Sequence, residues 1–177
     1  YFHFYSNFHF NFLFEIMPLP TINPPAPHQH PDWASVYINK VSADGHVLDH
    51  LAAGLEELIS LVEPLDEEKL LYRYAEDKWT IKEILVHLMG AERVFTYRAM
   101  SAARHDKTPL PGFDHNAYVP VSEANERELS GILAEYRALR AATIAFFSHL
   151  SEAALNELGM ANHQPCSARG LVYMIAG

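Results

Sequence analysis

The chain has 177 residues, a formal net charge of -9 and a single cysteine, Cys166. That length suits one domain with its own core. The acidic balance, 13 Lys and Arg against 22 Asp and Glu, argues against a grip on nucleic-acid phosphates, which needs a basic surface. One cysteine excludes an intrachain disulfide and points to a reducing, cytoplasmic compartment. No apolar run reaches the roughly 18–20 residues of a membrane span, so neither nucleic acid nor membrane is expected as a partner.

Residues 1–16, YFHFYSNFHFNFLFEI, are nearly all Phe, Tyr, His and Asn, with no clean period of 2 or 3.6. They lack the basic start and small-residue cleavage site of a signal peptide. The first methionine is Met17, which reads as the native start, and 1–16 then reads as a non-native or disordered leader. An aromatic anchor or degraded signal peptide is the rival reading. Residues 17–36 form a Pro-rich lead-in whose prolines exclude a helix. His28 and His30 lie there on what reads as a flexible arm, a poor preorganised ligand pair. A helical domain is expected over 37–177.

The first long helix is expected over 44–62, with a stripe of Leu48, Leu51, Leu55, Leu58, Ile59 and Val62. His46 and His50 stand at i, i+4, the spacing of many helical zinc pairs. On the wheel both fall more than a right angle from the stripe, which puts them on the solvent face. Pro64 ends the helix, and residues 65–79 cross to the second one.

The second helix begins at Thr80, which can close a capping box with Glu83. Apolar residues recur at Ile81, Ile84, Leu85, Leu88, Ala91, Phe95 and Ala99, a stripe centred near Ile84, Leu88 and Phe95. His87 falls at the seam between core and rim. Glu92 falls on the other flank, an uncomfortable place for a lone carboxylate.

Residues 104–120, RHDKTPLPGFDHNAYVP, form a connection long enough to suggest a functional role. Asp114 and His115 are candidates for a site's rim, with an exposed packing loop as the alternative. A third helix is expected over 122–150, with Leu129, Ile132, Leu133, Tyr136, Leu139, Thr143, Phe147 and Leu150 as its stripe. Arg140 projects within that stripe, so a carboxylate must meet it, and Glu92 has the matching need. The pair reads as an outer support for a site or, preferably, as an ion pair that fixes helix register. Residues 151–159 read as a short capped helical turn. A fourth helix follows Ser167. Cys166 sits just before it, where backbone N–H groups could lower a thiol pKa, although an ordinary small residue is the preferred reading.

The run Lys78-Trp79-Thr80-Ile81-Lys82-Glu83-Ile84-Leu85-Val86-His87-Leu88, then Glu92-Arg93 and Tyr97-Arg98, resembles the second helix of the DinB/YfiT-like family. The segment from Ala103 to Asp114 is similar to the one that crosses the open end of the bundle in relatives. Arg169, Tyr173 and Ile175-Ala176-Gly177 match a fourth-helix run. The resemblance covers about residues 37–177. It implies an all-α four-helix bundle with a long connection between helices two and three. It also implies a metal held by three histidines, one at the position of His87 and two on helix four. The two that follow the fourth-helix run in relatives are absent. The fourth helix is therefore expected to be incomplete, the sequence truncated at its C-terminus and its metal binding weak.

The resemblance implies a divalent metal, for which zinc, nickel and manganese all suit imidazole ligands. It favours a transferase that uses a low-molecular-weight thiol such as bacillithiol or mycothiol as cosubstrate. A metal-dependent hydrolase is the second reading, and a non-catalytic bundle that binds a small molecule or forms a homodimer is the third. A small-molecule substrate is the expected partner.

Overall fold

A computed structural model describes residues 18–177, so the expectation for the aromatic leader lies outside the described residues. In sequence order the helices are α1 (Ser35–Ile38), α2 (Val47–Val62), α3 (Glu67–Leu70), α4 (Ile81–Ala103), α5 (His115–Tyr118), α6 (Leu129–Ser148), α7 (Glu152–Asn156) and α8 (Ala168–Ala176). Two strands, β1 (Leu158–Ala161) and β2 (Gln164–Ser167), pair antiparallel between α7 and α8.

The fold is a four-helix bundle of α2, α4, α6 and α8. Both α2 and α4 pack on α6 and on α8. The first two long helices therefore stand across the bundle from each other, and residues 63–80 make the crossing. The short helix α8 is enclosed by α1, α2, α4 and α7, and every residue from Ala168 to Met174 is buried. Helix starts follow their caps. The Thr80 hydroxyl accepts from Glu83 N at 3.1 Å, while the Glu83 carboxylate accepts from Thr80 N at 2.8 Å. Ser167 caps α8 by accepting from Gly170 N at 3.0 Å.

Four expectations need correction. The first concerns α4, whose core face is centred on Leu85, Met89 and Glu92, while Ile84 is 38% exposed. The apolar stripe drawn through Leu88 and Phe95 is instead a second face, which borders a cavity. The second concerns α6, which starts at Leu129 and not at 122. Glu123 takes a left-handed φ of 54°, Ala124–Glu126 forms a 3-10 turn, and Arg127 is extended. Asn125 in that turn accepts from the Thr80 hydroxyl and donates to Glu83, so the segment fastens the start of α4.

The third correction is that the lead-in is no loose arm. Ile22 is buried and its N–H donates to Gly45 O at 2.8 Å. Its own carbonyl accepts from the Tyr173 hydroxyl at 2.7 Å, and Asn23 O accepts from Arg169 at 2.8 Å. A Cβ on Gly170 would stand 2.5 Å from Gln29 O, so glycine is what lets the lead-in lie against α8. The fourth is the hairpin, which helical periodicity misses. Asn162 and His163 both take positive φ (49° and 60°), the signature of a two-residue type I′ turn. The long connection is stitched to this hairpin, with Leu110 N donating to Met160 O and Asn162 N to Leu110 O.

Candidate functional site

His87, Ala91, Phe95 and Arg98 follow one another at helical spacings of four, four and three, so they share a side of α4. All four line a cavity of about 460 Å³. The connection contributes Phe113 and His115 to its wall, the lead-in Trp33, the hairpin Asn162 and Gln164, and α8 Leu171 and Met174.

One end of the cavity is aromatic and basic. The ring of Trp79 lies 4.7 Å from that of His87 and meets His115 edge-on at 5.8 Å. His87 and His115, 28 residues apart in sequence, bring their ring centres to 5.3 Å. Asp114 has a separate role: it caps α5, accepting from Asn116 N and Ala117 N. Of the two rim candidates, the structure brings His115 to His87 and uses Asp114 to hold the turn that presents it.

His87 Nδ1 is buried and has no hydrogen-bond partner among the described residues. Thr96 and Thr143 each carry such an atom too, but neither lines the cavity. Unpaired buried polar atoms cost stability and call for a reason. Burial first, and the neighbouring His115 charge second, pull the His87 pKa below its ordinary value. The neutral ring, which carries a free lone pair, is therefore the favoured form at neutral pH.

Glu92 also borders the cavity, yet it is fully engaged. Arg140 Nε and Nη2 both donate to its carboxylate, at 3.0 Å and 2.9 Å. Arg140 further donates to Leu51 O and to the Tyr136 hydroxyl. The pair thus ties α4, α6 and α2 together, as the register reading expects. Cys166 lies in β2 and directly precedes Ser167, the cap of α8, as the sequence leads one to expect. Burial pushes its thiol up, against the opposing pull of Arg98, so an activated thiolate is not what this position makes.

The remaining histidines among the described residues lie elsewhere. His46 and His50 are on the surface, bonded to Asp49 and Asp44. His28 is exposed, while His30 is buried with its Nδ1 2.9 Å from Pro31 O. His149 bonds back to Ala145 O, His105 sits beside Glu157, and His163 is in the hairpin turn. Sequence reasoning gave no place in the site to Trp79, Phe95 or Arg98. For Phe95 and Arg98 the four-four-three spacing from His87 was the available signal.

The profile of the DinB superfamily matches residues 50–177. The chain belongs to the DinB superfamily. Among solved structures this DinB-superfamily protein is similar to YfiT from Bacillus subtilis, described as "a probable metal-dependent hydrolase with an unusual four-helix bundle topology". The TM-score is 0.69 at 15% identity, over 77% of this chain and 80% of that one, a likeness of fold. No curated protein sequence matches it. Among the described residues no helix is long and apolar enough to cross a membrane.

A catalytic metal of this kind is held by three protein ligands. The described residues bring together two imidazoles, one with an orphaned nitrogen, and no three His, Cys, Asp or Glu are gathered as a ligand set. The donors on this wall fit part of a metal site and do not complete one among the described residues.

Proposed function

We propose that this DinB-superfamily protein is a metal-dependent enzyme whose small-molecule substrate enters the α4 cavity, with His87 as a ligand of a divalent metal. The observation that carries this reading is the buried, unpartnered Nδ1 of a neutral imidazole facing a second imidazole, His115. Thiol-dependent S-transfer is the favoured chemistry, supported by the motif around His87. Hydrolysis is the second reading, supported by the description of YfiT. The free cysteine suits a cytoplasmic, reducing compartment, where a low-molecular-weight thiol is at hand. The residues around the cavity act by binding and positioning. Trp79 and Phe113 pack beside the imidazoles, and the Glu92–Arg140 pair holds α4 and α6 in register.

The test is titration of the protein with zinc, nickel and manganese, followed by calorimetry or absorption of a cobalt substitute. Two imidazoles should give a weak site that His87→Ala abolishes and His115→Ala weakens. Retention of the same affinity in His87→Ala removes His87 from the metal. With metal present, product that forms only when a thiol is added marks S-transfer, and thiol-independent product marks hydrolysis. Neither product from a broad set of electrophiles and esters leaves a binding bundle.

A further inference from the structure

The cavity has a second polar end, three turns along α4 from His87. Arg98 lies eleven positions beyond His87, about 16 Å along the helix axis. Arg98 is half-buried and lines the cavity. Its guanidinium lies 5.9 Å from the centre of the Phe95 ring, and its Nη2 donates to Pro111 O at 2.8 Å. That is its one hydrogen bond among the described residues, although a guanidinium carries five N–H donors.

The other arginines set the contrast. Arg73, Arg93, Arg127, Arg140 and Arg169 each meet a carboxylate. Arg104 and Arg137 are exposed, where water serves them. Arg98 alone is withdrawn from solvent without a carboxylate among the described residues. The only acidic residue among those that line the cavity is Glu92, which Arg140 already holds. The nearby thiol of Cys166 is kept protonated by burial and supplies no counter-charge. A partly desolvated guanidinium in a cavity without a free acid is a site for an anion brought by the ligand. Between the two ends the wall is Leu88, Ala91 and Phe95, which suits a flat apolar body.

We infer that Arg98 is the anion-recognising residue of the cavity, so that the substrate class is an elongated organic acid. Its carboxylate meets the guanidinium, its apolar body lies along Ala91 and Phe95, and its far end reaches the imidazoles. This rests on the reading of the cavity as a small-molecule site, but not on the metal. Asn162 and Gln164 of the hairpin also line the cavity.

The experiment compares phenylbutyrate with its neutral amide, phenylbutyramide, by calorimetry on the full-length protein without added metal. The acid should bind about tenfold more tightly than the amide, the size of one charge-assisted contact. Arg98→Gln keeps an N–H donor for Pro111 O and removes the charge. It should bring the ratio close to one, with the amide's affinity and the Tm unchanged, while Arg98→Lys should keep part of the preference. His87→Ala should leave the ratio intact, so failure of the metal reading and failure of this one give different results. Equal affinities in the unmodified protein overturn the inference, as does no detectable binding of the acid at millimolar concentration. An acid preference that survives in Arg98→Gln overturns it too. Loss of acid and amide binding together, with a lowered Tm, overturns it in favour of a purely structural bond to the connection.

Discussion

Two polar pairs lie close together on α4 and are built in opposite ways. Glu92 and Arg140 form a closed pair, since both carboxylate oxygens accept from Arg140, whose remaining N–H groups reach Leu51 O and the Tyr136 hydroxyl. His87 and His115 form an open pair, with rings 5.3 Å apart, no hydrogen bond between them and one nitrogen orphaned in the wall. A buried polar group whose partners are all protein groups holds the fold together. A buried polar atom without a protein partner on a residue that also lines a cavity, as His87 does, is open to a ligand.

The largest effect should come from breaking the closed pair. Arg140→Met strands the Glu92 carboxylate, 2% exposed, and should cost about 3–5 kcal/mol in urea unfolding. The double variant Glu92→Met with Arg140→Met should recover most of that loss, because apolar replacement of a whole buried pair is close to neutral. A double variant as unstable as the single one would mean that the bonds to Leu51 O and Tyr136 matter more than the ion pair.

The open pair should behave differently. His87→Phe removes no hydrogen bond of Nδ1 and keeps a ring against Trp79, so unfolding free energy should change by less than about 1 kcal/mol. Divalent-metal affinity should nevertheless fall to background. A loss of stability comparable to that of Arg140→Met would erase the distinction between the two pairs.

The smallest effect is a pH dependence. The folded pKa of His87 lies below its unfolded value of 6.5, so below that pH the unfolded protein takes up the proton more readily. Stability from this group is complete above 6.5 and is lost as pH falls through the folded pKa. His87→Phe should flatten the Tm–pH curve in that window. An identical slope in His87→Phe would assign the titration elsewhere.

Much of the bundle was legible one residue at a time. Thr80 and Glu83 announced the start of α4, Ser151 and Ser167 those of α7 and α8, and each cap is made by the expected side chain. The Glu92–Arg140 pair was legible because two charges on two apolar stripes have few ways to be satisfied. The packing of the lead-in was not legible, because its prolines exclude a helix but say nothing about what they lie against. Ile22 and Gln29 are held by Tyr173, Asn156 and Gly170, more than a hundred residues away. The hairpin escaped because four-residue strands carry too little alternation, and Pro165 and His163 are weak choices for a strand and a type I′ turn.

The sequence by itself determined the four bundle helices, the caps of α4, α7 and α8, the family motif around His87 and the need for one buried charge pair. These depend on spacing along a single helix or on charges that no apolar stripe tolerates alone. Only the tertiary structure decided which apolar side of α4 faces the core and which faces the cavity. A helical wheel shows two greasy faces and cannot say which one another helix covers. Contact between His87 and His115, and the isolation of Arg98 from every described carboxylate, are likewise facts of three dimensions. Both depend on where the connection, the hairpin and the lead-in close over the same side of one helix, and no local spacing encodes that.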